Sequence, residues 1–285
     1  MTTLANDAKT VAIIGGSGFV GRYTAQAMAK RGWRVKVGCR RPNEAHFVRP
    51  YGVVGQVEPI QCNVRDDASV EAFVTGVDTA VYSVGVLYNS GKNTFEAVQA
   101  EGPARAARAA KAAGVGRFVL ISAIGADAAS PSAYARTKAE GEAAVLAEYP
   151  DAVILRPSIV FGPEDQFFNR FAAMARFSPV IPVVGGSSRF QPVWVQDVAE
   201  AAAKAVMGEA ASGIYELGGP SVYTFKELIR LMLSVIRRKR GIVDIPIPIG
   251  RLQGKVMGLL PDPPPPARCP APRNPEHPPP PRCRS

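Results

Sequence analysis

The sequence contains few of the residues from which metal centres and hydrolytic triads are built. Only two histidines occur, His46 and His277, and the four cysteines show no metal-ligand spacing. This scarcity argues against a histidine-based metal site or a Ser–His–Asp triad as the basis of function. The cysteines of the globular part are expected to be reduced thiols.

Long hydrophobic runs are also missing. No segment approaches the roughly 20 apolar residues of a membrane-spanning helix. The N-terminal stretch, MTTLANDAKT, lacks the basic-then-apolar pattern of a secretory signal. We therefore expect a cytoplasmic protein, and the net charge of +10 also suits a peripheral position on the inner face of a membrane.

Acidic residues are in the minority, with 24 Asp and Glu against 34 Lys and Arg, which favours anionic partners. The densest cationic run is Arg237, Arg238, Lys239 and Arg240. We interpret this run as a solvated helix end, and a surface for an acidic partner or lipid is the alternative. No recognised nucleic-acid motif surrounds it, so no nucleic-acid partner is predicted.

Short β-branched runs alternate with helical segments over residues 10–122. The runs predict strands at 10–14, 33–39, 57–62, 78–84 and 116–122, followed by a sixth at 152–157. Helices are predicted at about 19–31 and 93–113. Strands that alternate with helices indicate an α/β fold with a Rossmann-type doubly wound parallel sheet.

The pattern loosens after residue 157. Helices near 166–176, 197–208 and 223–238 and a strand at 213–217 predict a smaller substrate-side lobe, interwoven with the sheet. The last 25 residues include 12 prolines, which predicts a disordered tail. We therefore expect a nucleotide-binding domain at 1–157, the lobe at 158–260 and the tail at 261–285.

A glycine-rich segment, IIGGSGFVG, follows the first predicted strand and opens the first helix. Its glycines satisfy both G-x-x-G-x-x-G and G-x-G-x-x-G spacing, which permits a tight turn and close approach of the backbone to a pyrophosphate. A glycine turn without a ligand is the alternative, and the strand–turn–helix context favours a nucleotide. The cofactor contacts predicted here are Gly15, Gly16, Ser17, Gly18, Phe19 and Gly21.

The choice of nucleotide depends on the end of the second strand. NAD selectivity usually needs an acidic residue there, and none occurs between Ala8 and Asn43. Arg40 and Arg41 occupy the position instead, and a guanidinium can pair with a 2′-phosphate, so NADP(H) is predicted over NAD(H). Further contacts are predicted at the ends of the third and fourth strands, from Asn63, Ser83 and Gly85.

Tyr134 and Lys138 lie four residues apart in SAYARTK, so they share one face of a helix. An adjacent ammonium favours the phenolate of a tyrosine, and the lysine can also bond the nicotinamide ribose. Ser122, at the end of the fifth strand, can hold a substrate carbonyl or hydroxyl. We predict these three residues as the catalytic set, with an exposed Tyr–Lys pair as the alternative.

These motifs together resemble the extended and atypical short-chain dehydrogenase/reductases over about residues 10–235. The glycine motif, Tyr134-x-x-x-Lys138, LRPSIVFGP (155–163) and VWVQDVA (193–199) occur in the same order. The resemblance implies a doubly wound nucleotide domain. It also implies that Tyr134, Lys138 and Pro157 pass near the nicotinamide end of the cofactor.

Four segments are similar to a narrower family, the nucleotide-binding accessory subunits of respiratory complex I and their bacterial relatives. They are residues 83–102, 121–142, 156–172, which include GPEDQFFNRF, and 190–201. This resemblance implies a tightly held, structural NADPH and a place in complex I, or another membrane-associated assembly, near the quinone entrance.

A free NADP-dependent reductase, dehydrogenase or epimerase acting on a small apolar carbonyl or hydroxyl compound is the alternative. Aromatic residues of the lobe suggest a quinone or lipid-like ligand, although core packing explains them as well. They are Phe161, Phe167, Phe168, Phe171, Phe190 and Trp194.

Overall fold

The structure is a computed structural model that describes residues 8–245. The predicted tail at 261–285 lies outside the described residues. The strands, in chain order, are β1 Thr10–Ile14, β2 Arg34–Cys39, β3 Val57–Gln61, β4 Thr79–Tyr82, β5 Arg117–Ile121, β6 Val153–Pro157, β7 Val160–Phe161, β8 Val180–Val184, β9 Arg189–Phe190, β10 Val193–Trp194, β11 Gly213–Leu217, β12 Tyr223–Thr224 and β13 Gly241–Ile245. The α-helices are α1 Phe19–Lys30, α2 Asp67–Val74, α3 Glu101–Ala112, α4 Ala133–Glu148, α5 Phe168–Phe177, α6 Val195–Met207 and α7 Phe225–Val235.

A seven-stranded sheet forms the centre, in the order β3–β2–β1–β4–β5–β6–β11. All of its neighbouring strands pair in parallel. The order reverses between β1 and β4, which is the topological switch point of a doubly wound fold. The predicted Rossmann-type fold is therefore confirmed.

Helices cover both faces of this sheet, so its strands are apolar on both sides. On one face α1 and α6 pack over the sheet with a core that includes Met28, Val37 and Val206. The opposite face is covered by α2, α3 and α4, with Phe73 and Phe118 fully buried beneath them. This layering leaves the carboxyl ends of the strands as an open edge at which a site can form.

The lobe has a core of its own. There α5 and α7 pack on the parallel pair β8–β13, around Ile181, Ile229 and Leu233. The chain returns to the large sheet in between, since β11 pairs with β6 and α6 packs on α1. The division of the chain at residue 157 stays a prediction.

One predicted helix, at about 93–113, differs from the structure. It begins with a π-helical turn, Glu96–Ala100, before α3. Pro103 has no N–H to offer the carbonyl of Gln99, and the Tyr82 hydroxyl donates to the carbonyl of Val98 at 2.6 Å. These two interruptions of the regular hydrogen-bond ladder account for the wider turn. Within residues 8–245, no helix is both long and apolar enough to span a membrane.

Candidate functional site

The predicted site residues lie at the carboxyl edge of the sheet. Gly15 follows β1, Arg40 follows β2, Ser83 follows β4 and Ser122 follows β5. Parallel strands bring all of these ends to one edge, and the gap between β1 and β4 is where such folds bind ligands. The topology therefore gathers segments that are far apart in the sequence.

The glycine loop has the tight geometry that its spacing predicts. Gly15 has a φ of +83°, and a Cβ there would lie 2.8 Å from the Val84 side chain. The Gly18 N–H donates to the Gly15 carbonyl at 2.9 Å and closes the turn. A Cβ on Gly21 would lie 2.8 Å from the Cα of Gly16, so glycine is needed where α1 crosses β1.

The N-terminus of α1 offers a positive site for an anion. Gly18 is its N-cap and supplies no side-chain acceptor, and the first turn has no acidic residue. Free N–H groups and the positive end of the helix dipole therefore face the loop. Arg22 holds the loop in place by donating to the carbonyls of Ser17, at 3.1 Å, and Gly18, at 3.2 Å. These donors fit a dinucleotide pyrophosphate.

The side chain of Phe19 faces the lobe. A Cβ on Gly162 would lie 3.2 Å from the Phe19 ring, and Tyr23 stacks edge-on against the same ring at 6.1 Å. Tyr23 also donates to Glu164 at 2.7 Å, and Arg22 lies 3.6 Å from the same carboxylate. The loop that contains Gly162 and Glu164 is thus bonded to the helix of the nucleotide site.

The two arginines after β2 are in different situations. Arg41 is strongly exposed and forms an ion pair with Glu44 at 2.9 Å. Arg40 is also exposed, and among residues 8–245 it forms no ion pair. Its guanidinium is therefore the more available of the two for an incoming anion.

The predicted ribose and adenine contacts are positioned by local turns. The Asn63 N–H donates to the Ser69 hydroxyl at 2.9 Å, and its side-chain oxygen accepts from the Arg65 N–H at 3.2 Å. The Ser83 N–H donates to Ile14 at 2.9 Å, and its buried hydroxyl has no partner in the described residues. A buried hydroxyl without a partner is costly, so Ser83 is suited to receive a ligand group.

The predicted catalytic set comes from α4 and the end of β5, and Gly85 after β4 lies close to it. Lys138 Nζ lies 6.0 Å from the centre of the Tyr134 ring and donates to the Ile121 carbonyl at 3.5 Å. A Cβ on Gly85 would lie 3.6 Å from the same nitrogen. The Ser122 hydroxyl is buried and has no partner in the part of the chain that is described.

Pro157 contributes through its backbone. Its carbonyl accepts the Ile124 N–H at 3.1 Å, which ties the loop after Ser122 to the end of β6. The structure therefore brings Pro157 into the same edge of the sheet as the catalytic set. Its predicted contact with a nicotinamide stays a prediction.

Burial changes the proton affinity of both α4 residues. Lys138 is 7% exposed, and burial lowers its pKa to about 8, partly opposed by the nearby Glu142 carboxylate. Burial also raises the pKa of Tyr134, which disfavours its phenolate. The pKa of Lys138 is thus close to neutral pH, whereas the pKa of Tyr134 lies well above it.

The match to a known family covers most of the chain. The model of the NAD dependent epimerase/dehydratase family matches residues 11–218. The chain belongs to this family. It is an NAD(P)-binding family, in agreement with the glycine loop and the anion site at α1.

Relatives of this epimerase/dehydratase chain include plant, mouse and bacterial proteins. It is 34% identical to the mitochondrial NADH dehydrogenase [ubiquinone] 1 alpha subcomplex subunit 9 of Arabidopsis thaliana, over 84% of this chain. The corresponding mouse protein is 31% identical over 87% of this chain. The Caulobacter vibrioides ceramide reductase is 33% identical, over 86% of this chain and 76% of its own length. This chain spans 61% of the Arabidopsis relative and 67% of the mouse one.

Solved structures share the fold at lower identity. The Methanothermobacter thermautotrophicus epimerase Mth375 aligns with a TM-score of 0.71 and 21% identity, over 84% of this chain and 80% of its own. Bordetella bronchiseptica WbmH, solved with NAD+, aligns with a TM-score of 0.69 and 20% identity, over 86% of this chain and 91% of its own. At such identities the likeness concerns the fold alone.

Two features of this family member escaped prediction from the sequence. Glu142, one turn after Lys138 on α4, is 4% exposed and accepts two hydrogen bonds from Arg156 of β6, at 2.9 and 2.6 Å. Gln99 is buried in the π-helical turn and donates to the Val86 carbonyl at 2.6 Å. The i, i+4 spacing of Lys138 and Glu142 was a usable signal for the first. For the second feature, the usable signal was Pro103, because a proline inside a predicted helix interrupts the hydrogen bonds of the preceding turn.

The aromatic residues of the lobe do form one cluster. Ring centroids lie 5.2 Å apart for Phe161 and Trp194, and 5.4 Å apart for Phe167 and Phe225. The cluster is half-buried and comprises Phe161, Phe167, Phe168, Phe171, Phe190, Trp194 and Phe225. It supplies apolar surface beside the loop that is bonded to α1.

Proposed function

We propose that this chain holds NADP(H) mainly as a structural ligand and acts as an accessory subunit of respiratory complex I, or of another membrane-associated assembly. One observation carries the structural role. The site has the backbone geometry of a dinucleotide cradle, while burial raises the pKa of Tyr134 and so moves it further from the neutral range in which proton transfer is most efficient. The alpha subcomplex names of the plant and mouse relatives support the partner.

The chain's own groups divide the work of holding the nucleotide. The N–H groups at the start of α1 would bind the pyrophosphate, and the Lys138 ammonium would donate to the nicotinamide ribose. The unpartnered hydroxyls of Ser83 and Ser122 would gain partners in the bound state. A nicotinamide dinucleotide supplies hydride-transfer chemistry when bound, and in this proposal its main contribution is to stability.

Arg40 supports the choice of NADP(H). Its guanidinium is exposed at the end of β2, in the position where an acidic side chain would select NAD. A 2′-phosphate can accept two hydrogen bonds from one guanidinium, and Arg41 already pairs with Glu44. Arg40 would therefore carry the discrimination.

Nucleotide extraction tests this part of the proposal. We expect the purified chain to release NADP(H) on denaturation, and Arg40→Ala to lose at least tenfold in its preference for NADP(H) over NAD(H). Arg49→Ala, which removes another exposed arginine further along the chain, is the matched control. An Arg40→Ala protein with unchanged preference would remove the argument.

A native gel of mildly solubilised membranes tests the partner. The gel is probed in the same lane for this chain and for NADH dehydrogenase activity. Comigration with the large NADH-oxidising complex supports the accessory role, including a peripheral position at the inner membrane face. Migration at monomer or small-oligomer mass contradicts that role.

A second candidate is a free NADP-dependent reductase of an apolar carbonyl compound. The ceramide reductase relative, which this chain covers to 76% of its length, favours it. The intact Ser122, Tyr134 and Lys138 also favour it, and the aromatic cluster of the lobe would suit a lipid-like or quinone substrate.

A Tyr134 variant that loses turnover but still binds NADPH would identify this second function. NADPH oxidation is followed in the presence of long-chain ketones and quinones. If the chain is a reductase, Tyr134→Phe should lower kcat at least 100-fold and leave NADPH binding unchanged. Absence of turnover in a protein that retains NADPH supports the structural role instead.

A further inference from the structure

The lobe has a cavity of about 550 Å³ that is broadly open to solvent and has a cationic wall. It lies between α7 and the segment that leads into β13, and its apolar floor includes Leu233 and Ile242. In the part of the chain that the structure describes, no acidic residue lines it. The basic residues that line it are Lys226, Arg230, Arg238, Lys239 and Arg240.

Helix-end electrostatics do not account for this cluster. Cations are favourable near the C-terminus of a helix, which would explain residues after Val235. Lys226 and Arg230, however, lie in the first and second turns of α7, where a cation is unfavourable or neutral with respect to the dipole. Both contribute to the same cavity, so a solvated helix end is an insufficient description of the basic run.

The basic side chains of the cavity wall differ in whether an acidic partner neutralises them. Lys226 pairs with Asp244 at 2.6 Å, and the Arg240 side chain donates to the carbonyl of Ala175 at 2.9 Å. Within residues 8–245, Arg230, Arg238 and Lys239 form no ion pair. Within residues 8–245, Arg238 and Lys239 are exposed without an ion pair, and Arg230 has only the exposed Glu227 carboxylate within electrostatic reach, so the cavity keeps a positive excess that raises the local concentration of anions.

The backbone turn after α7 directs the run toward the cavity. The Arg237 N–H donates to Ser234 at 3.1 Å and the Arg238 N–H donates to Leu233 at 3.0 Å, which is the Schellman pattern. Arg237 takes the left-handed position of this motif, with a φ of 54°, where glycine is usual. The turn reverses the chain, so Arg238 and Lys239 reach the cavity that Arg230 lines from the helix.

We propose that this cavity binds a phosphate-bearing anion, separately from the nucleotide site. Arg230, Arg238 and Lys239 supply the charge and the hydrogen-bond donors that a phosphate needs, beside Lys226 and Arg240, which already have protein acceptors. Leu231 and Val235 are exposed on α7 outside the cavity lining, and this apolar surface favours a phospholipid headgroup as the source over a free phosphate. The proposal does not depend on the proposed role of NADP(H).

Vesicle binding by the full chain tests the proposal. Sedimentation is measured with phosphatidylcholine vesicles and with vesicles that contain 30% phosphatidylglycerol, and inorganic pyrophosphate is titrated calorimetrically in parallel. We expect binding to the anionic vesicles. The double variant Arg230→Gln/Arg238→Gln should lower the partition coefficient roughly 30-fold, since each basic residue near an anionic surface contributes about fivefold.

A matched control separates this cavity from general basicity. Arg34→Gln/Arg49→Gln removes the same charge from exposed positions of the other part of the chain and should change binding less than twofold. Lys239→Gln is a second, single change, with an expected loss of about fivefold. Binding of pyrophosphate without vesicle binding, lost in the cavity variant only, supports the site with a free phosphate as its ligand. Binding of neither probe, or equal loss in both double variants, overturns the proposal.

Discussion

In the nucleotide part of the chain, the buried Glu142 carboxylate is bonded by a cation, whereas several cations around the cavity of the lobe form no ion pair within the described residues. Glu142 lies between Lys138 and Arg156, and its two oxygens are bonded by one guanidinium. In the lobe, Arg238 and Lys239 form no ion pair within residues 8–245, and Arg230 has only the exposed Glu227 within electrostatic reach. The first arrangement holds a cleft in one geometry, and the second attracts a charged partner. In the proposals made above, the first region retains the ligand and the second attaches the chain to an anionic surface.

The largest effect is expected where the internal charges are broken. Glu142→Gln leaves Arg156 and Lys138 without their buried carboxylate and should lower the free energy of unfolding by about 3 kcal/mol. Urea unfolding of the purified protein measures it. Glu140→Gln, on the exposed side of α4, is the control and should cost under 0.5 kcal/mol, as is usual for surface changes. Equal stability of both variants would contradict the comparison.

A second change tests the backbone of the cleft. Gly21→Ala places a Cβ against the glycine loop, at 2.8 Å from the Cα of Gly16, and should cost about 2 kcal/mol together with most nucleotide affinity. Gly18→Ala is less crowded, with the Gly15 carbonyl at 3.0 Å, and should cost less stability. Thermal unfolding with and without NADPH measures both. A larger stability loss at Gly18 would refute the proposed packing.

The pKa of Lys138 predicts opposite responses to pH. Its folded-state pKa of about 8 lies below its ordinary value of 10.5, so the unfolded chain binds more protons between these values. The stability contribution of this group therefore rises with pH across that window in the cofactor-free protein. Nucleotide affinity should fall above pH 8, by up to tenfold per unit, because the ribose contact needs the ammonium. Lys138→Met should abolish both dependences, measured by unfolding and by fluorescence titration.

The turn after α7 offers a stability gain without a change of site. Arg237 holds a left-handed conformation, so Arg237→Gly should raise the free energy of unfolding by about 1 kcal/mol. Scanning calorimetry should show an increase in Tm of about 2–4 °C. Because Arg237 does not line the cavity, vesicle binding should weaken no more than for another single surface charge. A lower Tm would mean that the arginine side chain stabilises the turn.

The smallest effect is expected where the two parts meet. Glu164 accepts from Tyr23 at 2.7 Å and lies 3.6 Å from Arg22, so it links the lobe to the helix of the glycine loop. Glu164→Gln should speed NADPH release two- to fivefold, as befits a partly exposed ion pair. Stopped-flow dissociation measures this, with Glu209→Gln as an exposed control. An unchanged release rate would show that the lobe does not help to retain the ligand.

Much of the fold was predictable because its signals are local. The β-branched runs and their spacing predicted every strand of the large sheet, and β11 lies at the predicted residues 213–217. The helix at about 93–113 was predicted as continuous. Its π-helical turn was missed because the hydrogen bond from the Tyr82 hydroxyl to the Val98 carbonyl joins residues 16 positions apart. The Glu142–Arg156 ion pair was missed for the same reason, since it depends on α4 packing across β6.

The sequence by itself determined the doubly wound sheet, the glycine loop and the shared helix face of Tyr134 and Lys138, because each depends on residue spacing within one or two elements. Only the tertiary structure decided that Lys138 is buried beside Glu142, that Arg41 is paired while Arg40 is available, and that Lys226 and Arg230 join the basic run around one cavity. Burial, pairing and convergence are properties of elements packed together, and spacing along the chain does not encode them.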